Sequence, residues 1–258
     1  MTAVSFNGEY PRPLSVRERE WIEWILPPDR PGYKKYREII DGLVVIGEGR
    51  RGKGEIILGT SGDKPDFDEP LASVAAYGSI ETNVGVVSVT LREYSGNQIS
   101  VEIVSHRMDE VPNEIEEVSR WTYSTWKPGI SCPQCNGLVR EVPMHSETSA
   151  RFVMALCPVN KRAWVFEEST GMNRLIPVTN YYNELMLHKN MRDPNIALNS
   201  SLLFSHLTEY TDADLTYAFF TYNKLRTKVH AGGVIKADKI EKRTFSDRLK
   251  KMFLRRAS

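Results

Sequence analysis

The hydrophobic pattern of the chain changes its period at Leu43, and this change constrains the fold more than any other feature. Before Gly42, apolar residues recur every three to four positions, which predicts two helices that begin after Ser15 and near Pro31. After Leu43 the chain holds short apolar runs separated by turn residues, a pattern typical of β-strands. Because parallel neighbours need long crossover connections, the short turns predict an antiparallel meander. The candidate strands are residues 43–47, 55–59, 71–80, 84–94 and 98–106.

The second half of the chain is divided by proline and glycine. Residues 113–126 have apolar side chains at three-residue intervals, which predicts a closing helix, and Pro128 followed by glycine predicts a boundary. After Pro177 the pattern becomes helical again, and Thr211 with Asp214 predicts a capping box. Three more candidate strands lie between these points, at residues 137–144, 150–157 and 162–168.

Three cysteines lie in this part of the chain, Cys132 and Cys135 in C-P-Q-C and Cys157 at the start of C-P-V-N. So few cysteines, and an odd number, do not make a disulfide framework in 258 residues, so they predict a reducing compartment, the cytoplasm, and metal ligation. The C-P-Q-C turn holds two thiols, and the 21 residues between Cys135 and Cys157 suffice for a hairpin that returns the third. Residues 130–168 thus resemble a zinc ribbon, and the resemblance implies a tetrahedral Zn²⁺ site.

The pattern departs from a complete ribbon at Asn160, where a fourth cysteine is expected. Asparagine is neutral and hard, and is therefore a poor zinc ligand. Three alternatives remain open. His145 supplies the fourth ligand, or a water or exogenous ligand takes an open position, or the ribbon is metal-free and is held by the packing of Val159, Trp164 and Phe166. The predicted metal ligands are Cys132, Cys135, Cys157 and His145.

The predicted fold class is α+β, with N-terminal helices packed on an antiparallel meander, then a zinc-ribbon-like β unit and a helical C-terminal part. The predicted segments are 1–127 (α+β meander domain), 128–176 (ribbon-like β unit), 177–236 (helical part packed on the rest) and 237–258 (basic amphipathic tail).

Two basic segments are candidate contact sites. Residues 47–55 alternate glycine with Arg50, Arg51 and Lys53, which predicts a hairpin with a basic tip or, alternatively, an anion or nucleic-acid contact.

Residues 224–258 carry a net charge of +9, which leaves a net charge of −8 on the rest because the whole chain carries +1. The predicted tail helix would contact a protein partner or an anionic membrane surface, or dock on its own chain. Its contact residues are Phe245, Arg248, Leu249, Lys250, Lys251, Met252 and Phe253.

The sequence lacks the common hydrolase, kinase and dinucleotide-binding motifs, and His106 with Asp109 is an isolated candidate acid–base pair. No run of about 18 apolar residues occurs, which predicts that no helix spans a membrane.

The sequence therefore predicts a non-enzymatic intracellular binding or scaffold protein whose ribbon is structural. Two alternatives remain: an enzyme with a site at the interdomain cleft, and a nucleic-acid-associated protein that uses the ribbon and the basic tail.

Overall fold

The protein is described here by a computed structural model. The described residues are 10–67, 74–94, 97–107, 115–145, 150–176, 204, 207–208 and 210–219. Two helices come first, α1 (Val16–Ile25) and α2 (Pro31–Asp41). A 3-10 helix spans Tyr123–Thr125, and residues 212–219 are helical. Ten strands lie within these residues: β1 (Val44–Gly49), β2 (Gly52–Gly59), β3 (Val74–Thr82), β4 (Gly85–Glu93), β5 (Ile99–Ser105), β6 (Glu117–Thr122), β7 (Arg140–His145), β8 (Arg151–Cys157), β9 (Arg162–Glu167) and β10 (Met172–Ile176). The predicted α+β class is confirmed.

Three predicted helix-start signals are confirmed, at Ser15, Pro31 and Thr211. The Ser15 hydroxyl accepts the backbone N–H of Glu18 at 3.2 Å, and the Glu18 carboxylate accepts the backbone N–H of Ser15 at 2.7 Å. Pro31 lies in the first turn of α2, where its missing N–H has no helical partner to lose. The hydroxyl of Thr211 likewise accepts the N–H of Asp214 at 3.2 Å.

The strands form one antiparallel sheet in the order β1-β2-β5-β4-β3-β10-β9-β8-β7, with β6 paired to β3. The predicted meander is wrong in its order, because β5 lies beside β2 where a meander would have β3. Fourteen residues separate β2 from β3, enough chain to reach a strand that is not a neighbour. Leu175 of β10 pairs with Val74 of β3, so strands from both sides of the predicted boundary share one sheet. The division into domains stays a prediction.

The predicted closing helix at residues 113–126 is wrong where the structure describes it. Residues 117–122 form β6, which pairs with β3 from Thr82 opposite Glu117 to Gly78 opposite Thr122. The apolar spacing was misleading, because Val118 is 66% exposed and marks no buried face. Pairing with β3 satisfies backbone groups along an edge that a helix would have left open.

Two regions of the sheet are packed differently. In the helix-covered region, defined as α1, α2 and β1–β5, the helices cover one sheet face with an aliphatic core. There the ring of Trp24 lies where a Cβ on Gly78 would stand, so glycine lets α1 approach β3 closely. The knuckle region, defined as residues 123–137 with β7–β10, is packed on both sheet faces. One face packs against Phe204, Leu207 and residues 210–219, and the other against the 3-10 helix and its flanks.

Candidate metal centre

Side chains along β8 alternate between the two faces of the sheet, and this alternation decides which face Cys157 lies on. Met154 and Leu156 face the cluster that contains Phe204, Leu207 and Phe219, whereas Val153, Ala155 and Cys157 face the opposite side. That opposite side is an aromatic cluster, in which the rings of Tyr123 and Trp164 have centroids 4.2 Å apart. The aromatic cluster is Tyr77, Trp121, Tyr123, Trp126, Trp164 and Phe166.

The first two cysteines lie on a tight turn against the same cluster. The backbone N–H of Cys132 donates to the carbonyl of Gly137 at 2.9 Å, and the N–H of Asn136 donates back to the carbonyl of Cys132 at 2.8 Å. Asn136 adopts φ = 55°, in the left-handed region that Asn tolerates better than most residues. These contacts make the first knuckle, residues 132–137.

The second knuckle, residues 157–161, repeats the first. The backbone N–H of Asn160 donates to Cys157 Sγ at 3.4 Å. Lys161 has φ = 50° and comes four residues after Cys157, as Asn136 comes four residues after Cys132. Asn160 therefore occupies the position in its knuckle that Cys135 occupies in the first.

The two knuckles bring three sulfur atoms together. The Sγ atoms of Cys132, Cys135 and Cys157 all lie within 4.8 Å of one another, and those of Cys135 and Cys157 are 3.7 Å apart. A tetrahedral Zn–S bond of about 2.3 Å implies an S···S edge of about 3.8 Å. The sulfur spacing therefore fits a tetrahedral ion, and the three cysteines could hold a metal ion.

Asn160, the counterpart of Cys135 in the second knuckle, acts as a hydrogen-bond donor to the thiols. Its side-chain Nδ2 donates to Cys132 Sγ at 3.2 Å, while its backbone N–H reaches Cys157. Sequence reasoning identified Asn160 only as a missing ligand. Its amide could have suggested the additional role found here, since N–H groups that donate to ligand sulfurs are a common outer layer of metal–thiolate sites.

The hydrogen bonds give the buried thiols different acidities. Burial would raise the pKa of Cys132, but donors from the backbone of Cys135 and Gln134, from Asn160 and from the Cys157 thiol hold that pKa below its usual range. At Cys157 burial prevails, and the pKa rises to about 12 despite the N–H of Asn160. Without a metal, Cys132 therefore releases its proton more readily than Cys157 does.

Two further donors of the aromatic cluster have no hydrogen-bond acceptor in the described structure, the hydroxyl of Tyr123 and the indole N–H of Trp164. Burial raises the pKa of Tyr123, and the nearby Cys132 and Cys157 raise it further. Both donors belong to the same buried cluster as Cys132 and Cys157, and such donors suit an environment in which the sulfurs carry negative charge.

His145 does not join the three thiols, so the geometry opposes its predicted role as the fourth ligand. In the β7–β8 hairpin Arg140 pairs with Leu156, next to Cys157, whereas His145 pairs with Arg151 at the other end. Five residues of extended strand separate these two pairs, about 17 Å. Among the described residues, the group that could hold a metal ion is Cys132, Cys135 and Cys157.

The buried guanidinium of Arg30 fixes the chain that leads into the first knuckle. It donates to the carbonyls of Ser124 at 2.5 Å, Thr125 at 2.8 Å and Trp126 at 3.0 Å, and also to that of Gly171 at 2.7 Å. These bonds connect the start of α2 to the 3-10 helix and to the β9–β10 turn. Sequence reasoning missed Arg30, because nothing in its local pattern distinguishes it from a surface arginine.

The predicted basic loop is a hairpin turn, as its glycine pattern indicated. Gly49 pairs with Gly52, which has φ = 83°, and Arg50 and Arg51 lie between them. Arg51 forms a 2.5 Å ion pair with Glu102, so its charge is balanced within the chain. Arg50 is exposed. The side chain of Lys53 lies outside the described part of the structure.

Other predicted contacts fall partly or wholly outside the described residues. The predicted tail residues Phe245, Arg248, Leu249, Lys250, Lys251, Met252 and Phe253 lie outside them, as does Asp109. His106 lies inside, and its Nε2 is 2.6 Å from the hydroxyl of Ser88, which is itself 3.1 Å from that of Tyr77.

Comparison of the chain with models of protein families, with curated proteins and with solved structures found no match. Within the described residues, no helix is both long enough and apolar enough to cross a membrane.

Proposed function

We propose that this chain is a non-enzymatic binding or scaffold protein of a reducing compartment such as the cytoplasm, and that its cysteine cluster is a structural Zn²⁺ site. The observation that carries the proposal is the meeting of three sulfur atoms at the base of two matched knuckles. Zn²⁺ would bind Cys132, Cys135 and Cys157 and would supply a crosslink between the two knuckles.

Burial supports a structural role for this site. Cys132 and Cys157 are 0% exposed, and the aromatic cluster packs directly against them. A metal held there would join the chain after the 3-10 helix to the end of β8. Because a bound ion stabilises only the folded protein, occupancy would raise the free energy of unfolding by about 3–4 kcal/mol at 100 to 1,000 times the dissociation constant.

The test is metal analysis of the purified full-length protein together with its Cys132→Ser variant. We expect about one zinc per chain in the unaltered protein and a loss of zinc in the variant, with a fall of about 3 kcal/mol in the free energy of unfolding. Gln134→Ala is the matched control, because Gln134 is exposed in the same knuckle and all three thiols remain. An unaltered protein that takes up no zinc under reducing conditions would overturn the proposal.

A further inference from the structure

The protein offers three sulfur ligands to a metal that takes four. The position that would supply a fourth ligand is Asn160, the counterpart of Cys135 in the second knuckle. Its side-chain nitrogen donates a hydrogen bond to Cys132 Sγ at 3.2 Å. An amide nitrogen that donates a hydrogen bond is not a metal ligand, and the neutral, hard amide oxygen is a weak one for zinc. The chain therefore supplies three sulfur ligands, and a fourth ligand from another molecule would displace the Asn160 side chain from Cys132.

The chemistry around this position favours an anionic sulfur. The other ligands are thiolates, and backbone N–H groups of the knuckles donate towards sulfur. Lys161, which is exposed, directly follows Asn160 and adds a positive charge beside this position. A soft, charged ligand therefore suits this position better than a neutral oxygen ligand.

The cluster is accessible on the side of the first knuckle. Cys135 is partly exposed, whereas Cys132 and Cys157 are buried. Gly137 lies beside it, and a Cβ there would come 3.2 Å from Cys135 Sγ and 3.6 Å from a methyl group of Val159. A side chain at position 137 would therefore crowd Cys135 Sγ, and glycine avoids this contact.

Three large apolar side chains near the cysteines are exposed to solvent. Leu138 is 86% exposed, Val159 is 66% exposed and Ile130 is 51% exposed. Each lies on or within two residues of a knuckle, and together we call them the apolar rim. Apolar residues that flank a polar or charged centre are a usual feature of protein contact sites.

We propose that the fourth coordination position accepts a cysteine thiolate from an apolar segment of a partner protein, and that the apolar rim contacts the residues on either side of that cysteine. This inference rests on the proposed function, and it names the partner of the scaffold by its chemistry. On binding, the partner's thiol releases its proton to solvent and its sulfur becomes the fourth ligand, so binding strengthens as pH rises towards the thiol pKa.

The test uses full-length protein loaded with Co²⁺, which takes the tetrahedral geometry of Zn²⁺ and whose charge-transfer absorption increases with each thiolate ligand. The probe is a capped tripeptide of leucine, cysteine and leucine, and a peptide with serine in place of cysteine is its control. We expect the cysteine peptide to raise the absorption in the ratio of four thiolates to three. The serine peptide should leave the spectrum unchanged. No change with a large excess of the cysteine peptide would overturn the inference.

The Asn160→Cys variant is the matched control for the coordination position. It should show the four-thiolate spectrum on its own and should not respond to the cysteine peptide. A response as large as that of the unaltered protein would show that the peptide binds elsewhere, which overturns the inference.

A Leu138→Ser, Val159→Ser double variant tests the apolar rim. It should bind the cysteine peptide on the order of 10-fold more weakly, since two apolar contacts are lost, and bind 2-mercaptoethanol unchanged. If 2-mercaptoethanol saturates the unaltered protein as readily as the peptide does, the site takes free thiols and the proposed protein partner is wrong. If neither the unaltered protein nor Asn160→Cys takes up Co²⁺, the proposed metal site has failed, and this inference fails with it.

Discussion

The helix-covered region and the knuckle region are held together by different kinds of contact. The first is a mainly aliphatic core in which α1 and α2 cover the sheet, with Ile22, Val89 and Leu91 at most 1% exposed. The second combines aromatic rings in tilted and edge-to-face contact, three thiols and the hydrogen bonds of a buried arginine. Aliphatic packing has no preferred direction, whereas hydrogen bonds and metal–sulfur bonds do. The comparison teaches that one region tolerates small changes in geometry and the other depends on a few directed contacts.

The largest expected effect is the loss of Arg30, which connects the two regions. Arg30→Met should lower the free energy of unfolding by about 4 kcal/mol, because four carbonyls lose a charged donor in a buried site. Urea unfolding measures the loss, and hydrogen exchange should show it first in residues 123–137. Arg37→Met is the control. The guanidinium of Arg37 donates to the carbonyls of Glu23 and Leu26 at 3.2 Å nearer the surface, so its loss should lower the free energy of unfolding by only about 1 kcal/mol. Equal losses in the two variants would contradict the special position of Arg30.

A core substitution in the helix-covered region should be independent of metal. Leu91→Ala should lower the free energy of unfolding by about 3 kcal/mol through the lost apolar contacts and the cavity that remains. The loss should be equal with and without a zinc chelator, whereas the effect of Cys132→Ser should vanish in the chelator. A loss in Leu91→Ala that also depends on the chelator would mean that the two regions are not separate in energy.

The buried tyrosines predict a fall in stability at alkaline pH. Burial raises the pKa of Tyr33 and Tyr36, and the carboxylate of Glu93, which accepts the hydroxyl of Tyr36, raises the pKa of Tyr36 further. The folded protein thus keeps these protons above pH 10, where the unfolded chain releases them. Their contribution to stability is complete below about pH 10 and is lost as pH rises.

The Tyr36→Phe variant isolates one of these groups. Between pH 10 and 11.5, its free energy of unfolding should fall less steeply than that of the unaltered protein, by about 1.4 kcal/mol per pH unit. Urea unfolding at a series of pH values measures both slopes. Parallel slopes would show that Tyr36 does not contribute to the alkaline loss.

The smallest expected effect is at the first helix cap. Ser15→Ala removes the oxygen that accepts the N–H of Glu18 and should cost about 1 kcal/mol. Thr211→Ala removes the equivalent acceptor near the other region and should cost about the same. Thermal unfolding of both variants tests whether local caps contribute alike to the two regions. A much larger loss of stability in either variant would mean that its hydroxyl does more than cap the start of its helix.

Local patterns gave correct predictions where the contacts are local. The capping box at Ser15, the start of α2 at Pro31 and the strands of the hairpins depend on residues a few positions apart. The knuckles were also predictable, because C-P-Q-C and C-P-V-N each specify a turn. The same local reasoning failed at residues 117–122, since pairing with the edge of β3 outweighed a three-residue apolar spacing.

The sequence by itself determined the α+β class, both knuckles and the grouping of the three cysteines, because each follows from the spacing of residues within one segment. Only the tertiary structure decided that β5 lies beside β2, that His145 lies at the far end of its hairpin, and that Asn160 donates to Cys132. Strand order and the surroundings of a side chain depend on segments far apart along the chain. Their pairing is selected by total burial and hydrogen bonding, which no short stretch of sequence contains.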